Sequence, residues 1–146
     1  MRPAGRSKVV RLLCVEDNST LRKMIDLMLA TTGIDVDFAE NGAEAVEAYQ
    51  VNEYDAVLMD MEMPVKSGLQ AAKEIRQMED GFLLGYTPIL FLSGNTDDEH
   101  IDQAREAGGD GHLVKPFTSE SLIGALDRVL RTTRPSGLDG MLMAAR

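Results

Sequence analysis

Residues 56–68 read AVLMDMEMPVKSG, an apolar run that ends on an acid. Ala56, Val57, Leu58 and Met59 make a run of strand length, apolar enough to be buried on both faces, as strands of a parallel sheet are. Asp60 follows at once, and three residues after Met61 stands Pro64, which cannot donate to a continuing ladder. A carboxylate at the end of a buried run is costly unless something neutralises it. The residues around it must therefore explain Asp60.

Similar runs recur on both sides. Val9 to Val15 reads as a buried strand, apolar apart from Arg11, and Leu21, Met24, Ile25, Met28 and Leu29 then follow the i, i+3, i+4, i+7, i+8 pattern of an amphipathic helix ending near Gly33. Ile34 to Phe38 alternates apolar and acidic residues as an edge strand does. Asn41-Gly42-Ala43-Glu44 opens a helix with Ala45, Val46 and Tyr49 inward. Ser67 to Gln70 has capping-box spacing and starts a helix through about Met78. Pro88 to Leu92 is a fourth strand. Thr96 to Glu99 is a second capping box, whose helix, Asp97 to Ala107, stops at Gly108-Gly109. Gly111 to Val114 is a short fifth strand, and a last helix from Thr118 carries Leu122, Ala125, Leu126, Val129 and Leu130.

Five strands alternating with five helices predict an α/β fold, a doubly wound parallel sheet with helices on both faces. Size and composition agree. The chain has 146 residues, 44% hydrophobic and 27% charged, enough for one domain with a sizeable core. We expect a short N-terminal extension over 1–7, the domain over 8–132 and a disordered tail over 133–146, too short for an output domain. No apolar run approaches the roughly 20 residues of a membrane helix, and the basic start does not read as a signal peptide. A single cysteine, Cys14, excludes an internal disulfide, fits a cytoplasmic location and reads as a small core residue. The net charge of −9 argues against nucleic-acid binding.

Ligands on such sheets bind beyond the carboxyl ends of the strands. Those ends carry Glu16 and Asp17, Asp60, Ser93 and Lys115. Three acids brought together cannot all stay ionised without a cation. Oxygen ligands with no neighbouring thiol or paired imidazole point to Mg²⁺, with Mn²⁺ as an alternative, rather than zinc. With Lys115 and Ser93 beside it to hold oxyanions, the set suits phosphoryl transfer onto Asp60 as nucleophile.

The segments CVEDN, MDMEMPVKSG, LSG and VKPF, in this order and spacing, resemble the receiver domain of two-component response regulators over residues 8 to about 132. The resemblance implies the CheY-like, flavodoxin-like (βα)5 fold with strand order 2-1-3-4-5. It implies that Asp60 accepts a phosphoryl group from a phosphohistidine on a histidine kinase or histidine phosphotransfer protein, with self-catalysed phosphorylation and dephosphorylation. It assigns Asp17, Asp60 and the Glu62 backbone carbonyl to Mg²⁺, Glu16 to the same ion through water, and Lys115 and Ser93 to the phosphoryl oxygens. It expects a cis peptide between Lys115 and Pro116, and Glu62 and Asn95 tuning the lifetime of the phosphoryl group. In relatives the fourth helix, fifth strand and fifth helix form the face for a downstream partner or a phosphorylation-dependent dimer.

The chain departs from the family at His112, where receivers carry Tyr or Phe that turns inward when the hydroxyl residue moves. An imidazole there can act as a switch with Ser93 or be a partly exposed surface histidine without that role. His100 reads as a surface residue. The motif style also resembles receivers of hybrid histidine kinases, so the chain reads as a stand-alone switch or as such a module. Two other classes compete. A small Mg²⁺-dependent phosphohydrolase would use Asp60 with Glu62 as acid, but the Glu16-Asp17 pair and the small size argue against it. A flavodoxin-like electron carrier would place a Ser-, Thr- and Gly-rich phosphate loop where Glu16-Asp17-Asn18 stand.

Overall fold

The computed structural model describes residues 9–63, 65–82, 85–94 and 97–133. Strands β1 (Arg11–Val15), β2 (Asp35–Ala39), β3 (Ala56–Asp60), β4 (Ile89–Ser93) and β5 (Gly111–Val114) alternate with helices α1 (Ser19–Leu29), α2 (Gly42–Val51), α3 (Gly68–Gly81), α4 (Asp98–Glu106) and α5 (Ser119–Thr133). All pairings are parallel and the sheet order is β2-β1-β3-β4-β5, as the resemblance implies. The alternating acid pattern of β2 fits its place at the edge, whereas every residue of the central β3 and β4 is buried.

Side chains alternate across the sheet. Val57, Met59, Ile89 and Phe91 face α2, α3 and α4 with Ala45, Tyr49, Ala71, Ala72, Ile75 and Ala104. Leu12, Cys14, Leu58, Leu90, Leu92 and Leu113 face α1 and α5 with Ile25, Leu29, Leu122 and Leu126. At ~25 cal/mol per Å² of apolar surface removed from water, these two cores are the main stabilising term.

The helix starts are set by short polar caps. Asn18 accepts the Leu21 N–H, Asn41 that of Glu44, and Ser67 and Gln70 form the reciprocal capping box. Three expectations need correction. Asp97, not Thr96, caps α4, its side chain accepting the His100 N–H, so Glu99 falls short of the capping-box position; Thr96 itself lies outside the described residues. Helix α3 runs on from Met78 to Gly81, with Glu79 buried in its last turn, where an acid interrupts the apolar pattern without ending the helix. The periodicity of α1 also overstated its core: Ile25 and Leu29 are buried, but Met24 is 44% exposed. Of the expected termini, 1–7 and the tail from 134 lie outside the described residues, as do Pro64 and Asn95.

Candidate functional site

The register brings the strand ends to one edge. Asp60 closes β3 opposite Leu92, and Ser93 closes β4 opposite Val114. Lys115 then follows β5, its N–H donating to the Ser93 carbonyl at 2.8 Å. Glu16, one residue past β1, continues the ladder by donating to the Ala39 carbonyl at 3.0 Å. Glu16, Asp60 and Ser93 are buried, and Asp17 is exposed at the rim.

Carboxylate oxygens of Glu16, Asp17 and Asp60 all lie within 4.8 Å of one another. Lys115 Nζ reaches Asp60 Oδ2 at 3.2 Å and Glu16 Oε1 at 3.3 Å. One ammonium facing three carboxylates leaves the cluster short of positive charge. Glu16 shows it: Oε1 is fully shielded from solvent and makes no hydrogen bond, so Lys115 serves it as an ion pair only. Burial, then the Asp60 charge, push the Glu16 carboxyl up to about 7, against an ordinary 4.5. Burial raises Asp60 as well, more than Lys115 lowers it. Burial pulls Lys115 down, but the Asp60 and Glu16 charges outweigh it and its pKa rises. The pair therefore resists full ionisation until another cation arrives. The oxygen-only donor set, and a buried Glu16 oxygen whose cation is shared with Asp60, fit a hard divalent ion.

The loop after β3 is folded back by two backbone bonds, Gly68 N–H to the Met61 carbonyl at 3.0 Å and Gly42 N–H to the Lys66 carbonyl at 3.1 Å. Gly68 is required: a Cβ there would stand 1.9 Å from the Asp60 carbonyl oxygen. This turn presents the Glu62 N–H to Asp60 Oδ1 at 3.3 Å. The Lys115–Pro116 peptide is cis. Beside Lys115 a groove of about 450 Å³ opens between α1 and the loop into α5, lined by Leu21, Met24, Met28 and Phe117.

A scan against protein families matches residues 12–127 to the response regulator receiver domain. The chain belongs to that family. Chemotaxis protein CheY of Halobacterium salinarum is 33% identical over 120 residues, covering 82% of this chain and 96% of that protein. Response regulator MprA of a Mycobacterium species is 32% identical over 126 residues, 86% of this chain but only 53% of MprA, so the chain spans about half the length of that relative. The receiver domain of the sensor histidine kinase PA1611 from Pseudomonas aeruginosa, with a magnesium ion in its active-site cleft, superposes with a TM-score of 0.75 at 33% identity, covering 86% of this chain and all of that one. The chain is thus a signalling receiver, and among the described residues no helix is long and apolar enough to cross a membrane.

The two histidines of this receiver differ in their surroundings. His112 pairs with Phe91 across β5 and β4 and is half-buried; its Nε2 is fully shielded and has no hydrogen-bond partner. Burial, then the nearby His100, lower its pKa. His100 is on the surface but engaged: Nδ1 lies 2.7 Å from Asp97 Oδ1 and Nε2 4.0 Å from Glu62 Oε2, linking the start of α4 to the loop after Asp60. The Asp97 contact follows from helical i, i+3 spacing; the Glu62 contact joins residues 38 apart and had no local signal. Arg22 was missed too. It donates to the Glu16 carbonyl at 2.7 Å and steadies the turn that carries the acids.

Proposed function

We propose that this receiver takes a phosphoryl group onto Asp60 from a phosphohistidine and so switches binding to a partner in two-component or phosphorelay signalling. The observation that carries the reading is the crowd of Glu16, Asp17 and Asp60 oxygens within 4.8 Å, with Lys115 3.2 Å from Asp60. In the transfer the phosphorus–nitrogen bond breaks, Asp60 oxygen bonds to phosphorus, and the imidazole keeps the electron pair and takes up a proton. Asp17, Asp60 and the Glu62 carbonyl would hold Mg²⁺, with Glu16 acting through water. The ion would neutralise the acids and draw charge from the phosphoryl oxygens as they approach.

Lys115 and Ser93 bind the arriving oxygens. At ~1.5–3 kcal/mol for each charge-assisted bond they supply roughly 3–6 kcal/mol, about the 5.5 kcal/mol that takes a two-state equilibrium from 1:99 to 99:1. The proposed moving parts are Ser93, the half-buried His112 on the same sheet face, and α4, whose apolar contact is thin: Ala104 and Ala107 buried, Ile101 partly so. Glu62 tunes phosphoryl lifetime; Asn95, proposed for the same task, lies outside the described residues. The α4–β5–α5 face serves the downstream partner or a phosphorylation-dependent dimer, in the cytoplasm. A second reading, a module of a hybrid histidine kinase, is favoured by the match to the PA1611 receiver.

The test is labelling with acetyl phosphate and Mg²⁺, read by mass spectrometry. A single phosphoryl group on Asp60, absent in Asp60→Asn and slowed by chelation, is expected. Labelling that survives Asp60→Asn, or beryllofluoride that leaves the NMR spectrum around Asp60, Ser93 and Lys115 unchanged, would sink the reading.

A further inference from the structure

We propose that Arg22 is a positioning residue that sets how tightly the acid cluster takes its divalent cation, by fixing the peptide group from which Asp17 projects; this rests on the proposed magnesium site. A bare charge count gives the opposite sign, since one cation repels another. Geometry decides between the two.

Asp17 is the exposed member of the cluster, so burial does not hold it as it holds Glu16 and Asp60. Its place depends on the turn between β1 and α1. On one side of that turn the Glu16 N–H donates to the Ala39 carbonyl at 3.0 Å. On the other, the Asn18 N–H donates to Glu16 Oε2 at 3.1 Å and the Asn18 side chain caps α1. Between them lies the peptide group that joins Glu16 to Asp17. Its carbonyl accepts from Arg22 Nη1 at 2.7 Å, a charge-assisted bond from a side chain only 19% exposed. Loss of that bond frees the peptide to turn, and the Asp17 carboxylate turns with it.

The other contact of Arg22 is weak: Nη2 lies 3.9 Å from Oε2 of the exposed Glu40, a surface pair of the kind that adds little. Arg22 also stands fourth in α1, near the helix end where a cation opposes the macrodipole. Helix side chains lean toward the N-terminus, so a long side chain at that place reaches back to the turn. The charges that lead at the Glu16 carboxylate are those of Asp60 and Lys115, which leaves Arg22 a geometric role. Groups that orient a metal ligand without touching the metal typically change affinity roughly 10–100-fold.

Titration of the intact protein with Mg²⁺, followed through the amide NMR signals of Glu16, Asp17 and Asp60, separates the two signs. Arg22→Met should weaken Mg²⁺ binding about tenfold, the low end of that range, because the effect passes through the backbone. Arg22→Lys keeps the charge but replaces the fork with one ammonium on a shorter stem, and should weaken binding about threefold. If Arg22 acted by charge, the Met variant would bind Mg²⁺ more tightly and the Lys variant would match wild type. If it served only the fold, urea midpoints would fall while the affinity of the folded chain stayed the same. Either result overturns the inference, and should Arg22→Met fail to fold, Arg22→Lys decides alone. A wild-type spectrum that Mg²⁺ leaves unchanged overturns the magnesium reading instead, so the two failures are distinct.

Discussion

Opposite ends of the sheet solve the same electrostatic problem in opposite ways. Where β4 and β5 begin, Arg76 of α3 serves two acids. Its Nη1 donates to Glu79 Oε1 at 2.6 Å and the Thr87 carbonyl at 2.8 Å, Nη2 to Asp110 Oδ2 at 3.0 Å, and Nε and Nη2 both to the Gly108 carbonyl. Glu79 Oε2 also accepts from Tyr49 OH and the Thr87 N–H, and Asp110 accepts from Tyr86 OH and the Ile89 N–H. Every carboxylate oxygen there has a donor. Where the strands end, one lysine faces three acids and Glu16 Oε1 has no hydrogen bond. A satisfied hub holds structure, whereas an unsatisfied one keeps an appetite for a cation and an incoming oxyanion.

The sharpest way to break this comparison is to remove each centre in turn. Arg76→Met should cost about 3–5 kcal/mol in urea unfolding, since it leaves Glu79 and Asp110 without their cation in a largely buried place. Asp60→Asn should do the reverse in metal-free protein. It should abolish phosphorylation yet stabilise the fold by about 1 kcal/mol, because Glu16 is relieved of a like charge. If Arg76→Met costs no more than the ~0.5 kcal/mol of an ordinary surface change, the hub is not the structural member described here.

The next effect is a pH dependence. Glu16 holds its proton up to about 7 in the folded chain against 4.5 ordinarily. Between those values the folded state binds a proton that the unfolded state has lost, so stability falls as pH rises through the window. Discounted for its coupling to Asp60, the loss from about pH 5 to about pH 8 should be about 1–2 kcal/mol. Urea midpoints of metal-free wild type and Glu16→Gln at both values isolate this contribution, since other groups cancel in the difference. Saturating Mg²⁺ should flatten the wild-type slope. A slope equal in both proteins would mean that Glu16 is ordinarily ionised and the site less crowded than it looks.

The two ends were also unequally legible in the sequence. The acids and the lysine stand at strand ends, so once the apolar runs were placed, the fold rule brought Glu16, Asp60, Ser93 and Lys115 together. The hub has no such rule. Tyr49 and Glu79, or Arg76 and Asp110, meet across separations of 30 and 34 residues, and Glu79 falls just beyond the end the sequence gives its helix. The Glu62–His100 contact was hidden for the same reason: tertiary closure sets it, and neither periodicity nor capping reports it.

The smallest effect tests whether the hub itself has an inside and an outside. Tyr49 and Tyr86 each give a hydroxyl to one of its acids, at 2.9 Å to Glu79 and 2.6 Å to Asp110. Tyr49 is buried and its oxygen also meets the Thr87 hydroxyl at 3.0 Å, while Tyr86 is 53% exposed with its ring over Arg76. Deleting the buried hydroxyl leaves Glu79 and Thr87 with an unmet group and should cost about 1–3 kcal/mol. Water can replace the exposed one, so Tyr86→Phe should cost about 0.5 kcal/mol or less, the shorter bond notwithstanding. Urea unfolding of Tyr49→Phe and Tyr86→Phe compares them directly. Equal costs would show that bond length rather than access to water ranks these contacts, and the distinction between an inner and an outer side of the hub would lose its physical basis.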